Sequence, residues 1–185
     1  MITRNQAWQK LNQMIDNPNL IKHCLAVEAA MLAYADHFGI KDPHEREKWA
    51  IAGLIHDADW EKYPEQHPKV IITWLKEQQA PAEIINAVAA HGFQFGVEAK
   101  TLMARVLRAV DELTGLIVAV ALVKGRNLDQ VRVESILKKW KDKHFAAGVN
   151  RAEIEQGAQE LGLPLEKHIA ITLAGMKKIK STLGL

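Results

Sequence analysis

Apolar residues recur along this chain at the spacing of helix faces, and few β-branched runs alternate with polar residues, so the pattern predicts an all-α fold. Thr3-Arg4-Asn5-Gln6 has the spacing of a capping box, in which a hydroxyl and a side-chain amide satisfy first-turn donors, and Asn17-Pro18 ends the helix it opens. A second helix is predicted from about Asn19 to His37, stopped by Gly39. Asp42-Pro43 places a cap before a proline and starts a third helix, which ends near His56. Asp57 to Gln66, broken by Pro64, reads as a loop, after which His67-Pro68 opens a short helix. Another runs from Ala80-Pro81 to His91-Gly92, where glycine can take the left-handed conformation that closes a helix. Gly92 to Val97 connects to a long helix predicted from about Glu98 to Lys124 and stopped by Gly125. Asn127 to Lys143, a cap-like start at Asn150-Arg151-Ala152-Glu153 and a final helix after Pro164 complete the run.

A chain of 185 residues that is 48% hydrophobic can bury the core of one compact unit, and no repeat, low-complexity tract or charge block divides it. One domain over 1–185 is therefore expected, with helices over about 126–185 extending a core over about 20–125. The net charge is +2 with basic and acidic residues interspersed, which gives no electrostatic case for a nucleic-acid polymer as partner. Nucleotide-sized anions remain open. The longest apolar stretch, Leu113 to Val123, is too short to span a bilayer and reads as a buried helix, so no membrane partner is expected. The single Cys24 excludes an intramolecular disulfide framework. The opening Met-Ile-Thr-Arg-Asn-Gln lacks the apolar stretch of a secretory signal, and cytoplasmic residence is expected. No heptad or exposed patch argues for an oligomeric state.

The chemistry concentrates in five sites: His23, His56-Asp57, His67, His91 and Asp111. The apolar run Gly53-Leu54-Ile55 ends in His56-Asp57-Ala58-Asp59, and burying such groups unpaired is unfavourable, so they need a partner. One or two cations would supply it. Imidazole and carboxylate suit divalent manganese, iron, cobalt, nickel or zinc, with magnesium also admissible, whereas the lack of paired cysteines argues against a thiolate zinc site. On a regular helix His56 and Asp57 would point roughly 100° apart; at a helix end both can turn toward one ion. His23 sits among apolar neighbours at a half-buried helical position. Asp111 is an acid in an otherwise apolar helix, either a ligand or the partner of Arg108 one turn earlier. His67 and His91 stand at predicted helix boundaries, as ligands or as caps. His37, His44, His144 and His168 fall outside the pattern and read as solvated or capping residues.

The order His, His-Asp, His, His, Asp resembles the HD-domain superfamily of metal-dependent phosphohydrolases across roughly residues 20 to 125. That resemblance implies a helical bundle in which His23, His56, Asp57 and Asp111 hold one metal. If His67 and His91 also ligate, a second ion is bound and Asp57 bridges the two. It further implies hydrolysis of a phosphate ester or anhydride of a nucleotide or other small metabolite, with metal-activated water as nucleophile. Asp57, Asp59 and Glu61 are the catalytic candidates: Asp59 and Glu61 either orient that water or accept its proton, or are solvated loop acids. Trp60 and Tyr63 either contact a substrate ring or anchor the loop. The tract Lys138 to Arg151 and the segment Asp111-Glu112-Leu113-Thr114-Gly115-Leu116-Ile117 resemble a subgroup of small, uncharacterised HD hydrolases. Lys139, Lys143 and Arg151 are its candidates for substrate anion contacts, Arg being suited to bidentate binding, although a solvated helix face explains the lysines equally. Some HD proteins resemble di-iron oxygenases, and a noncatalytic ligand-binding or regulatory module that keeps metal is the third reading.

Overall fold

Local side-chain chemistry sets the helix starts in the computed structural model, which describes residues 2–185. Thr3 accepts the Gln6 backbone N–H while the Gln6 side chain accepts the Thr3 N–H, so the capping box forms and α1 runs over Arg4–Met14. Asn17 caps α2 (Pro18–His37) and Asp42 caps α3 (Pro43–Ile55), each with proline in the first turn. They are followed by α4 (Lys69–Glu77), α5 (Ala82–Ala89), α6 (Leu102–Val123), α7 (Val133–Trp140), α8 (Arg151–Glu160), α9 (Leu165–Lys178) and the short α10 (Lys180–Leu183). Among the described residues there is no strand, and no helix is long and apolar enough to cross a membrane.

Two helices differ from the sequence reading for identifiable reasons. α6 begins at Leu102 rather than Glu98, because the Thr101 hydroxyl caps it by accepting the Ala104 N–H at 3.1 Å. The residues before it stay extended, clamped by Asn86, whose amide donates to the Glu98 carbonyl and accepts the Lys100 N–H. α7 occupies only part of 127–143. Asn127 takes the Asp129 N–H in a preceding turn, and Asp142 takes the N–H groups of His144 and Phe145 after it, so both flanks satisfy their donors without helix.

α2 is the central element, packed by α3, α6 and α9. α6 passes between two apolar groups: its first half buries Leu107 and Val110 with α1 to α5, and its second half buries Leu113, Ile117 and Val120 with α7, α8 and α9. Each large side chain fully buried there contributes roughly 1.5–3 kcal/mol. Asp111 lies where α6 changes from one group to the other. Gly53 lets α3 come close to α2: a Cβ there would stand 2.8 Å from Glu28 Cα and 2.9 Å from Met31 Cγ. That approach sets His56, one turn later, against His23 of α2, with ring centroids 5.2 Å apart.

One histidine reading is corrected by the fold. His168 is fully buried on α9, with Nδ1 beside the Tyr34 hydroxyl and Nε2 3.0 Å from the Ala109 carbonyl. Nε2–H donates to that carbonyl, so Nδ1 accepts from Tyr34 and the ring is neutral. His37, His44 and His144 are exposed.

Candidate metal centre

Each imidazole of the cluster is aimed from behind by an acceptor that fixes its tautomer. His56 closes α3, and its Nδ1–H donates to the carbonyl of Gly53 at 2.9 Å. His91 follows α5 and donates from Nδ1 to the carbonyl of Val88 at 2.6 Å. His67 precedes α4 and donates from Nδ1 to Asp59 at 2.6 Å. Their Nε2 lone pairs therefore point inward. His23, on α2, turns Nδ1 toward the Thr114 hydroxyl at 3.4 Å, and that hydroxyl donates to the Asp111 carbonyl.

Asp57 stands between two sets of nitrogens. Its Oδ2 lies 3.5 Å from His23 Nε2 and 3.4 Å from His56 Nε2, while its Oδ1 lies 3.4 Å from His67 Nε2 and 3.3 Å from His91 Nε2. Asp111 Oδ1 completes the first set, 3.0 Å from His23 and 3.4 Å from His56. The side chains thus form two groups that could each hold an ion, His23-His56-Asp57-Asp111 and Asp57-His67-His91, sharing one carboxylate.

The donor set fits divalent cations. His56 Nε2 is buried with no hydrogen-bond partner, an orphan that faces two carboxylates. His67 Nε2 and His91 Nε2 approach to 3.1 Å although both Nδ1 atoms already carry the donated proton. Two lone pairs at that distance repel unless positive charge lies between them. The electrostatics agree: burial opposes charge on His23, yet Asp111 and Asp57 raise its pKa to about 9. Burial likewise opposes charge on His56, which the same two carboxylates hold well above the usual histidine value. Against its own burial, Asp57 is held well below the carboxylate range by His56, His23 and His91; Asp111 is also lowered, by His56 and His23. Positive charge is what this cavity favours, and a metal ion can supply it with the imidazoles neutral.

The cluster forms the floor of a cavity of about 440 Å³ whose walls include Trp60, Gln94, Arg108, Glu112, Asn150 and Glu153. Several candidates from the sequence are not on those walls. Asp59 is fully buried behind His67, with one oxygen on its ring and the other accepting the Ile71 N–H at 2.9 Å, so it cannot reach a water in the cavity. Glu61 points away to accept the N–H groups of Asp16 and Asn17. The Lys139 ammonium sits over the Phe145 ring at 4.7 Å, and Lys143 is exposed. Arg151 spends its guanidinium on the carbonyls of Asp142, Phe145, Ala146 and Val149, clamping the loop before α8. That loop does reach the cavity, through Val149 and Asn150 rather than through its cations.

The cavity's arginine is Arg108, which the sequence offered only as a partner for Asp111. Its Nη2 instead bonds Glu160 at 2.6 Å, its guanidinium lies 4.2 Å from the Phe93 ring centroid, and its Nε is buried without a partner. The available signal was position: three residues before Asp111, it shares that ligand's helix face. Gln94 had no comparable signal, because it enters the wall from a single 3-10 turn.

A family model for the HD domain matches residues 20–116, more than half of the chain and a span that includes every residue of both ligand groups. No curated protein and no solved structure matches it.

Proposed function

The chain belongs to the HD-domain family, and on that premise we propose that it is a metal-dependent phosphohydrolase. Its substrate is a phosphate ester or anhydride of a nucleotide or other small phosphorylated metabolite, and water is the nucleophile. The observation that carries this reading is Asp57, which offers one carboxylate oxygen to each of two histidine groups at the floor of an open cavity. His23, His56, Asp57 and Asp111 would hold one divalent ion, and Asp57, His67 and His91 a second. When bound, such a pair supplies an acidified water and positive charge for phosphoryl oxygens.

The remaining work falls to the chain's own side chains. Asp59 holds the proton on His67 Nδ1 and so keeps Nε2 free to ligate. Arg108, steadied by Glu160 and the Phe93 face, keeps donors for a phosphate oxygen on the cavity wall. Gln94 offers an amide to the substrate from the cavity wall. Trp60, half exposed and edge-on to His67 at 5.2 Å, shields one side of the cluster from solvent.

Phosphate release is the test. Protein reconstituted separately with manganese, iron, cobalt, nickel, zinc and magnesium is screened against phosphomonoesters, nucleotides and anhydrides without oxygen. Release with a redox-inert metal supports the hydrolase and excludes oxygen as a required reactant. No release from any compound with any metal overturns the proposal.

A further inference from the structure

α6 carries a glycine that its packing does not require. Glycine weakens a helix interior, and three of the chain's helical glycines are explained by crowding. A Cβ at Gly53, Gly157 or Gly175 would meet a neighbouring helix at 2.8, 2.6 or 2.5 Å. At Gly115 the nearest atom would be Val149 Cγ2, an ordinary contact at 3.8 Å. Alanine would fit there, and only larger side chains would fill the space.

That space is a junction. Gly115 and His23 line both the metal cavity and a second cavity of about 360 Å³. The second cavity is walled by Val118, Leu122, Leu183 and Leu185, with Leu122 44% exposed. Lys22 and Arg126 also line it, and among the described residues no side-chain carboxylate does. The two cavities thus differ in kind, one polar and built on the ligand cluster, the other apolar with cations.

We infer that the substrate spans both: its phosphoryl group faces the cluster, and an apolar moiety crosses Gly115 to lie along Val118 and Leu122. This rests on the phosphohydrolase reading and narrows its substrate class to phosphate esters of an apolar alcohol. The glycine keeps the passage open. Burial of each added methylene on Val118 and Leu122 favours binding about fourfold.

The test is a series of n-alkyl phosphates, methyl to octyl, with the metal-loaded full chain. Octyl phosphate is expected to exceed methyl phosphate in kcat/KM by at least about tenfold. Gly115→Leu closes the passage and Leu122→Asp makes its far wall polar, so each should bring that ratio toward one. Using the ratio removes general damage to the site, and the exposed Leu122 position serves if Gly115→Leu does not fold. A series in which every ester is hydrolysed at similar kcat/KM, or a ratio unchanged in both variants, overturns the inference while leaving the hydrolase standing. So does a flat series with a change of mass in solution for Leu122→Asp, which would give the trough to a second copy of the chain. If no ester is hydrolysed, calorimetric binding of octyl- against methylphosphonate still decides: tighter octyl binding, lost in both variants, supports the trough, and equal binding overturns it.

Discussion

Two buried polar clusters share the helices α2 and α6, yet they solve the burial of histidine in opposite ways. Toward the cavity, His23 of α2 and Asp111 of α6 belong to a group whose His56 Nε2 has no partner, and carboxylates raise the pKa of His23 to about 9. Elsewhere on the same two helices, Tyr34 of α2 and the Ala109 carbonyl of α6 saturate His168, whose pKa burial lowers to about 4 even though its bond to Ala109 works the other way. Burial alone does not mark a functional histidine. What separates the two is whether the inward nitrogen has a protein partner, because an unmatched lone pair beside carboxylates requires a cation and a matched one requires neutrality.

The largest expected effect comes from Asp57→Ala, which removes the carboxylate common to both ligand groups. Metal content should fall from about two ions per chain to near none, and phosphate release by on the order of a thousandfold or more, since a metal-activated nucleophile is lost. Retention of both ions would separate Asp57 from the cluster.

Breaking the other cluster should change stability and leave metal in place. His168→Ala leaves the buried Tyr34 hydroxyl and Ala109 carbonyl without their partner and opens a void, for a loss of about 3 kcal/mol in denaturant unfolding. The same residue gives a pH test with a definite sign. Its folded pKa of about 4 lies below the unfolded value of 6.5, so its contribution is fully present above pH 6.5 and is lost as pH falls from there to 4. The slope from this group approaches 1.4 kcal/mol per pH unit inside that window and should vanish in His168→Ala. In metal-free protein His23 has the opposite sign. Its contribution is full below pH 6.5 and is lost as pH rises through about 9. Unfolding curves of the metal-free protein across both ranges compare the two clusters directly.

Smaller is the effect of loosening a ligand from behind. Asp59→Asn removes the charged acceptor of the His67 Nδ1 proton, and affinity for the second ion should drop roughly 10- to 100-fold in a metal titration, with the first ion unaffected. Arg108→Ala should lower kcat/KM for phosphate release by roughly 10- to 100-fold with metal content unchanged, as expected for a lost charge-assisted hydrogen bond. Lys139→Ala, with its ammonium over Phe145, is the control and should change kcat/KM by less than about twofold. A large effect there with none at Arg108 would move the anion contact to α7.

The sequence was most legible where a residue acts on its own neighbourhood. Thr3, Asn17 and Asp42 cap the helices they precede, because a cap needs only a side-chain oxygen and an N–H two or three residues on. The candidate ligand positions share that property: His56, His67 and His91 stand at helix boundaries, and the apolar surroundings of His23 and Asp111 announce themselves locally. What was not legible depends on distant partners. Asn86 delays the start of α6 by holding Glu98 and Lys100. Glu61 and Arg151 looked like free charges but satisfy backbone groups of other segments. Asp59, adjacent to the ligands in sequence, is turned behind His67 by its bond to Ile71 of α4. Arg108 entered the sequence reading only as an alternative partner for Asp111, one turn away, whereas its partner, Glu160, lies on α8.

The central claim, that each of the two side-chain groups sharing Asp57 would hold a cation, is tested most directly by elemental analysis of protein purified without chelator and reloaded with a single divalent metal. The account predicts about two ions per chain for the natural sequence and about one for His67→Ala or His91→Ala. One ion or none in the natural sequence would contradict it.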